Sequence, residues 1–228
     1  MRQVYSVTDT LLDLILPLQC GGCGAPSARW CDACAAVLHV NSDEPHVISP
    51  RLDPGVPVFA LGPYAGPRRQ ALVAFKEHGR RDLVGPLSRA LAVGIHRLTT
   101  WGILDHQLTV VPAPTRRAAA RRRGGDPVAR IAAAAIAASP HHGLATVLRT
   151  GGLTTALRTG GPARDSVGLS TAARERNIAG RVRLTGPVPD GEILLVDDIL
   201  STGATAREGV RVLAAGGGRV GAVLTLAH

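Results

Sequence analysis

Residues 193–205 read ILLVDDILSTGAT and form the most informative segment of the chain. The apolar run 193–196 predicts a strand that is buried on both faces. Asp197 and Asp198 follow at its carboxyl end, and a small, hydroxyl-rich turn then opens a helix. In an open parallel sheet, ligands bind outside the carboxyl ends of the strands. The segment therefore predicts a ligand site beside two carboxylates.

The turn at 201–205 has the composition of an anion site. Its backbone N–H groups would lie at a helix N-terminus, where unpaired donors and the helix dipole favour an anion. Gly203 would let the backbone approach a phosphate closely. Two adjacent carboxylates would suit the 2′- and 3′-hydroxyls of a ribose, directly or through Mg²⁺. The alternative is that Asp197 and Asp198 only cap a buried strand, which leaves the turn unexplained. Further donors are the hydroxyls of Ser201, Thr202 and Thr205.

Predicted strands and helices alternate on both sides of this segment. The alternation favours an α/β fold with a mainly parallel sheet flanked by helices. Asp126 is the predicted N-cap of one of these helices, since proline follows it at the first helical position. The predicted strands are 56–61, 108–111, 193–196 and 219–226, with 182–184 as an edge strand, and the predicted helices are 67–77, 83–98, 127–138 and 204–215.

The chain divides into two predicted units. All four cysteines fall between positions 20 and 34, and residues 40–55 are polar and proline-rich, as is typical of a linker. Unit 1–45 would hold an amphipathic helix, ending at Pro17, and the cysteine module. Unit 56–228 would be the α/β body.

An arginine-rich run follows the predicted strand 108–111, at the same rim of the sheet as the two aspartates. Guanidinium groups suit pyrophosphate because they can bind it bidentately. Binding to a nucleic-acid backbone and a merely solvated surface both stay open for this run. The arginines are Arg116, Arg117, Arg121, Arg122 and Arg123.

Residues 194–205 resemble the phosphoribosyl-pyrophosphate (PRPP) loop of type I phosphoribosyltransferases. From about position 11 to 226, the chain resembles the competence protein F (ComF) family, whose members join an N-terminal cysteine module to such a domain. The resemblance implies a type I phosphoribosyltransferase core with a small N-terminal zinc module of four cysteines. It also implies that Asp197 and Asp198 are catalytic residues that bind the ribose. The implied ligands of the 5′-phosphate are Ser201, Thr202, Gly203, Ala204 and Thr205.

The same resemblance implies two further loops. The pyrophosphate loop would be Thr115, Arg116 and Arg117, although the family's usual Arg-Gly-Phe-Asn pattern is replaced after Arg123 by Gly-Gly-Asp. The flexible loop would contribute Arg174 and Asn177, which lie three apart on a helix and can face one ligand. An N-capped, solvated helix explains that spacing equally well. The glycine-rich stretch 149–170 is interpreted either as a lid over the site or as a tolerated insertion.

The cysteines are spaced as Cys20-x₂-Cys23-x₇-Cys31-x₂-Cys34. Paired Cys-x₂-Cys knuckles place four thiolates tetrahedrally about one Zn²⁺. Disulfides are the alternative, but a cytosolic chain keeps its thiols reduced. We therefore predict a structural zinc ion, which would supply folding energy to a module with little apolar mass.

The chain carries 26 basic and 17 acidic residues, a net charge of +9 that makes anionic partners plausible. Aromatic residues are only 3% of the chain, which argues against a base-stacking platform for single strands. Lys76 is the sole lysine. With His78 it flanks a predicted helix end, where a cation would stabilise the helix dipole, although the ComF family has a similar lysine-to-glycine stretch. No apolar segment reaches membrane-spanning length, so we expect a cytoplasmic protein without membrane insertion.

Two functions from different classes fit these observations. The first is a phosphoribosyltransferase that binds PRPP or a related ribose phosphate with Mg²⁺ and is associated, as the ComF resemblance implies, with competence and DNA uptake. The second is an inactive nucleotide-sensing scaffold. Its zinc module and arginine run would bind single-stranded DNA or a helicase-like, DNA-processing partner.

Overall fold

The computed structural model describes residues 18–114, 125–150 and 180–228. Within these ranges, a six-stranded sheet has the strand order β1-β2-β8-β7-β3-β4. Every neighbouring pair is parallel except β1 with β2, which is antiparallel. A separate antiparallel pair joins β5 and β6. The strands are β1 (His46–Val47), β2 (Val58–Ala60), β3 (Leu108–Pro112), β4 (His142–Leu144), β5 (Leu148–Thr150), β6 (Val182–Leu184), β7 (Glu192–Ile199) and β8 (Arg219–Ala227).

Helices connect the parallel strands, as crossover connections require. The side chain of Asp126 accepts hydrogen bonds from the N–H groups of Val128 and Ala129, at 2.9 and 3.2 Å, which confirms it as an N-cap. The helices are α1 (Asp32–Leu38), α2 (Gly66–Glu77), α3 (Val84–Thr100), α4 (Pro127–Ile136) and α5 (Ala204–Ala215), with a short 3-10 turn at Arg81–Leu83.

Two apolar clusters lie on opposite faces of the sheet, and β7 contributes to both. Leu194 and Val196 belong to the cluster that packs against α2, α3 and α4. Ile193 and Leu195 belong to the cluster beneath α5. Successive side chains of a strand point to opposite faces, so a strand covered on both sides must be apolar throughout. The prediction of a doubly buried strand is confirmed, and so is the α/β fold with a mainly parallel sheet.

The segment predicted as a linker makes specific contacts with the body. It contains β1, and the N–H of Ile48 donates to the carbonyl of Val58 at 2.9 Å. Further along, the N–H of Leu52 donates to the carbonyl of Thr202 at 2.9 Å, which brings this segment to the start of α5. The segment predicted as a linker therefore contacts the body along part of its length. The division into units 1–45 and 56–228 stays a prediction.

Two further differences concern short strands. Residues 182–184 do form a strand, but β6 pairs with β5 rather than with an edge of the main sheet. The strands β1, β4 and β5 are two or three residues long, and the sequence pattern did not predict them. Among the described helices, none combines the length and the apolar content of a membrane span.

Candidate functional site

The two adjacent aspartates lie at the carboxyl end of the central strand β7. Asp197 pairs in register with Thr225 of β8, and the N–H of Asp198 donates to Oδ1 of Asp197 at 2.8 Å. The side chain of Asp198 is 6% exposed, whereas Asp197 is partly exposed. Because adjacent strand residues point to opposite faces, the two carboxylates diverge from the strand while remaining neighbours at its end.

Lys76 is the cation that faces this acid pair. It lies one residue before the end of α2, and its Nζ is 2.7 Å from Oδ2 of Asp198. That oxygen is fully buried and has no hydrogen bond of good geometry among the described residues, so the contact is an ion pair without hydrogen-bond alignment. From the sequence, Lys76 was expected mainly to stabilise the helix dipole, although the ComF family has a similar lysine-to-glycine stretch. The available signal was that the chain keeps a single lysine.

The surroundings of Asp197 favour its protonated form. Burial raises the pKa of Asp197 well above its usual range, the neighbouring Asp198 carboxylate raises that pKa further, and the ammonium of Lys76 opposes both effects. The Lys76 ammonium offsets the charge of one carboxylate of this pair. A cation or a set of hydroxyl donors would find two carboxyl groups here.

The turn after β7 leads into the N-terminus of α5. Gly203 has φ 85° and ψ 0°, a left-handed conformation that favours glycine. Ser201 is exposed, Thr205 is partly exposed, and the residues between them are buried. Among the described residues, none accepts a backbone hydrogen bond from the N–H of Ser201, Thr202, Gly203 or Thr205. These donors and the helix dipole favour an anion at this helix end.

One face of Gly203 is already in contact with protein. A Cβ built on this residue would lie 2.5 Å from the carbonyl oxygen of Leu52 and 2.8 Å from Cβ of Pro50. From the sequence, this glycine was expected to allow a close approach of phosphate. In this structure, the close neighbour is the backbone of the 50–52 segment, which covers that face of the turn.

The strand next to β7 leads toward the predicted arginine loop. Pro112 of β3 is in register with Val196, and the N–H of Ala113 donates to the carbonyl of Val196 at 2.7 Å. The chain therefore leaves β3 beside the acid pair, as the sequence predicted for this rim. Residues 115–124, which include Thr115, Arg116 and Arg117, lie outside the described residues, and so do Arg174 and Asn177.

The four cysteines form a compact cluster. The Sγ atoms of Cys20, Cys23, Cys31 and Cys34 all lie within 4.8 Å of one another, and those of Cys23 and Cys31 are 3.6 Å apart. A tetrahedral zinc site with Zn–S bonds of about 2.3 Å separates its sulfurs by about 3.8 Å. All four thiols are free, so the disulfide alternative is not realised. The cluster therefore fits a metal such as zinc.

The thiols differ in their electrostatic surroundings. Burial raises the pKa of Cys20, but N–H groups of Cys31, Cys23 and Gly22 outweigh it and lower that pKa to about 6. The N–H groups of Gly22 and Cys31 lie 3.5 and 3.4 Å from its Sγ. Burial and the neighbouring thiols raise the pKa of Cys34. A bound cation would remove the mutual repulsion that disfavours four thiolates at such short distances.

Arg80 attaches this cysteine module to the end of α2. Its guanidinium donates to the carbonyl of Gln19 at 2.9 Å and to that of Arg29 at 3.1 Å, one next to each pair of cysteines. It also forms an ion pair with Asp82 at 2.7 Å. Because Lys76 lies only one helical turn earlier, the module and the acid pair share the same helix end. The sequence analysis did not assign this role to Arg80.

Comparisons with known proteins give the following findings. No protein-family model matches the chain, and no curated protein matches it. Two crystal forms, tetragonal and orthorhombic, of a hypoxanthine phosphoribosyltransferase from Staphylococcus aureus are similar to it at 16% and 14% identity, each with a TM-score of 0.32. Both matches cover 63% of this chain, and the chain spans 61% of the length of those proteins. A TM-score this low carries no functional argument, so the α/β fold stands on its own strand order.

Proposed function

We propose that this chain is a phosphoribosyltransferase-like protein that binds PRPP or a related ribose phosphate with Mg²⁺. The observation that carries the proposal is the junction of β7 and α5. There, two neighbouring carboxylates are followed closely by a turn whose N–H groups, except that of Ala204, have no acceptor among the described residues. Carboxylates accept hydrogen bonds from hydroxyls and helix N-termini bind phosphate, so the junction has one group for each half of a ribose phosphate.

The residues take separate roles in this proposal. Asp197 and Asp198 accept hydrogen bonds from the ribose hydroxyls. The exposed hydroxyl of Ser201 and the N–H groups at the start of α5 donate to the 5′-phosphate. Because one face of Gly203 is covered by residues 50–52, the phosphate would approach from the side of Ser201 and Thr205.

The carboxylate oxygens of Asp197 and Asp198 could also bind a divalent cation. Mg²⁺ prefers carboxylate oxygens and keeps several waters, and the Lys76 ammonium already places a positive charge 2.7 Å from Asp198. When bound, Mg²⁺ would supply positive charge against the pyrophosphate. The acid pair would hold that ion near the ribose.

The transfer activity itself depends on loops beyond the described residues. We propose that Thr115, Arg116 and Arg117 bind the pyrophosphate, since the chain leaves β3 toward them beside the acid pair. Their guanidinium groups would stabilise the charge that develops on the leaving group. Arg174 and Asn177 would close over the ligand from the flexible loop. The four cysteines would hold a structural zinc ion.

A thermal-shift panel tests the proposal. PRPP with Mg²⁺ should raise the melting temperature of the wild-type chain, as should pyrophosphate to a smaller extent. Asp197→Asn together with Asp198→Asn should abolish the rise, whereas the control Asp190→Asn, on an exposed loop, should keep it. No rise for any phosphate ester, or an equal rise in the double variant, would contradict the proposal.

The ComF-type role in DNA uptake is proposed on the sequence resemblance. A second assay separates the enzyme from the scaffold. An enzyme consumes PRPP in the presence of an amine or base acceptor and loses that activity in the double aspartate variant. A scaffold binds single-stranded DNA with a steep salt dependence, keeps that binding in the double variant, and loses it when arginines 116–123 are replaced.

A further inference from the structure

Lys76 is placed to control the cation at the acid pair. We propose that Lys76 is the internal counter-cation of Asp198 and that a divalent cation arriving with the ligand displaces it. This inference rests on the proposed function, which makes the acid pair the place where a ribose phosphate and its cation bind. It assigns to the sole lysine a role in setting cation affinity.

The burial of Asp198 requires such a counter-cation. Its side chain is 6% exposed, and a carboxylate removed from water is strongly disfavoured unless a positive charge or several hydrogen bonds compensate it. Oδ2 has no aligned hydrogen bond among the described residues, and the positive charge of Lys76 Nζ lies 2.7 Å from it. A divalent cation would satisfy the same requirement with more charge.

The geometry of the pair permits exchange. The Lys76 side chain is 25% exposed, so part of it contacts solvent while its Nζ lies beside Asp198. An ammonium on a four-carbon stem can move while its backbone stays in place. The backbone here is anchored, because α2 ends against Arg80, whose guanidinium is fixed by Gln19, Arg29 and Asp82. The displaced ammonium would remain close enough to contact an anionic ligand.

Binding of Mn²⁺ alone, measured by electron paramagnetic resonance without PRPP, tests this inference. Lys76→Met should bind Mn²⁺ at least about tenfold more tightly than wild type, since an adjacent opposite charge changes the proton affinity of a carboxylate by about one to three powers of ten. Lys76→Arg keeps the charge and should behave as wild type. The matched control Arg81→Met removes the same charge from an exposed position beyond the helix end and should also behave as wild type.

A second substitution shows where the tighter Mn²⁺ binding of Lys76→Met takes place. Adding Asp198→Asn to Lys76→Met should remove the tighter Mn²⁺ site. If Lys76→Met and Arg81→Met bind Mn²⁺ equally, or if no variant gains affinity, the inference is overturned. A tighter site that survives Asp198→Asn overturns it as well, because the cation would then bind elsewhere.

The sole lysine also allows a readout in the unmutated protein. Wild-type chain with ¹³C-labelled lysine gives one ε-methylene resonance, which should shift when Mg²⁺ and PRPP are added together. An unchanged resonance in a sample whose melting temperature rises with PRPP would refute the displacement while leaving the proposed function intact. Failure of PRPP to bind would instead refute the proposed function, and the Mn²⁺ comparison would still decide the role of Lys76.

Discussion

The Lys76–Asp198 ion pair should respond asymmetrically to the loss of either partner. Lys76→Met leaves a carboxylate that is 6% exposed without its counter-cation. Removal of one partner from a fully buried pair costs about 3–5 kcal/mol. Because Lys76 itself is 25% exposed, water reaches the pair and we expect a smaller loss, about 2 kcal/mol in the free energy of unfolding.

Asp198→Asn should cost much less. The remaining Lys76 ammonium can turn toward solvent, and the repulsion between the two aspartates disappears. We expect a change of about 0–1 kcal/mol for this variant. The double variant should then be more stable than Lys76→Met alone, since no buried charge is left without a partner.

Urea unfolding followed by circular dichroism measures the effect directly. A loss of about 2 kcal/mol corresponds to a fall of about 4–8 °C in melting temperature for a chain of this size. The reasoning is refuted if Asp198→Asn destabilises the chain more than Lys76→Met does, or if Lys76→Met leaves the unfolding curve unchanged.

Three other predictions follow from the described residues. Gly203→Ala should lower the free energy of unfolding by about 2–4 kcal/mol, and the control Gly191→Ala should lower it by about 1 kcal/mol. Both glycines have positive φ, but of the two only Gly203 has close neighbours. Equal losses in urea unfolding would contradict the packing described. Metal analysis should find about one zinc ion per chain. Chelation, or the substitution Cys34→Ser, should remove the zinc and also the cooperative melting transition. A chain that melts cooperatively without metal would contradict a structural site. Because the folded-state pKa of Asp197 is raised, the stability that this group contributes is present in acid and falls as the pH rises above about 4. Melting temperatures measured across pH should show this decline for the wild type and not for Asp197→Asn. The same pH profile in both proteins would contradict the raised pKa.

The parts of the fold that local sequence determines were predictable. The run 193–196 is apolar throughout because both faces of β7 are covered, and the turn before α5 carries Gly203, whose left-handed backbone favours glycine. The clustering of the four cysteines was predictable because two Cys-x₂-Cys pairs are typical of a tetrahedral metal site. The structure extends β7 through both aspartates, so the acid pair belongs to the strand end rather than to the turn.

Contacts between distant parts of the chain were not predictable from local pattern. Lys76 meets Asp198 only because α2 packs beside the carboxyl end of β7, and Pro50 meets Gly203 only because the segment before β2 folds back over the sheet. The short strand β1 lacks enough residues to show a period of two. The role of Arg80 could not be predicted, because its carbonyl partners are distant in sequence.

Isothermal titration calorimetry of the wild-type chain with PRPP in Mg²⁺ buffer tests the proposed ribose phosphate site most directly. The account predicts saturable binding to one site per chain, no detectable heat for the chain carrying Asp197→Asn and Asp198→Asn, and wild-type affinity for Asp190→Asn. Equal binding by the wild type and the double aspartate variant, or no binding by the wild type, would contradict it.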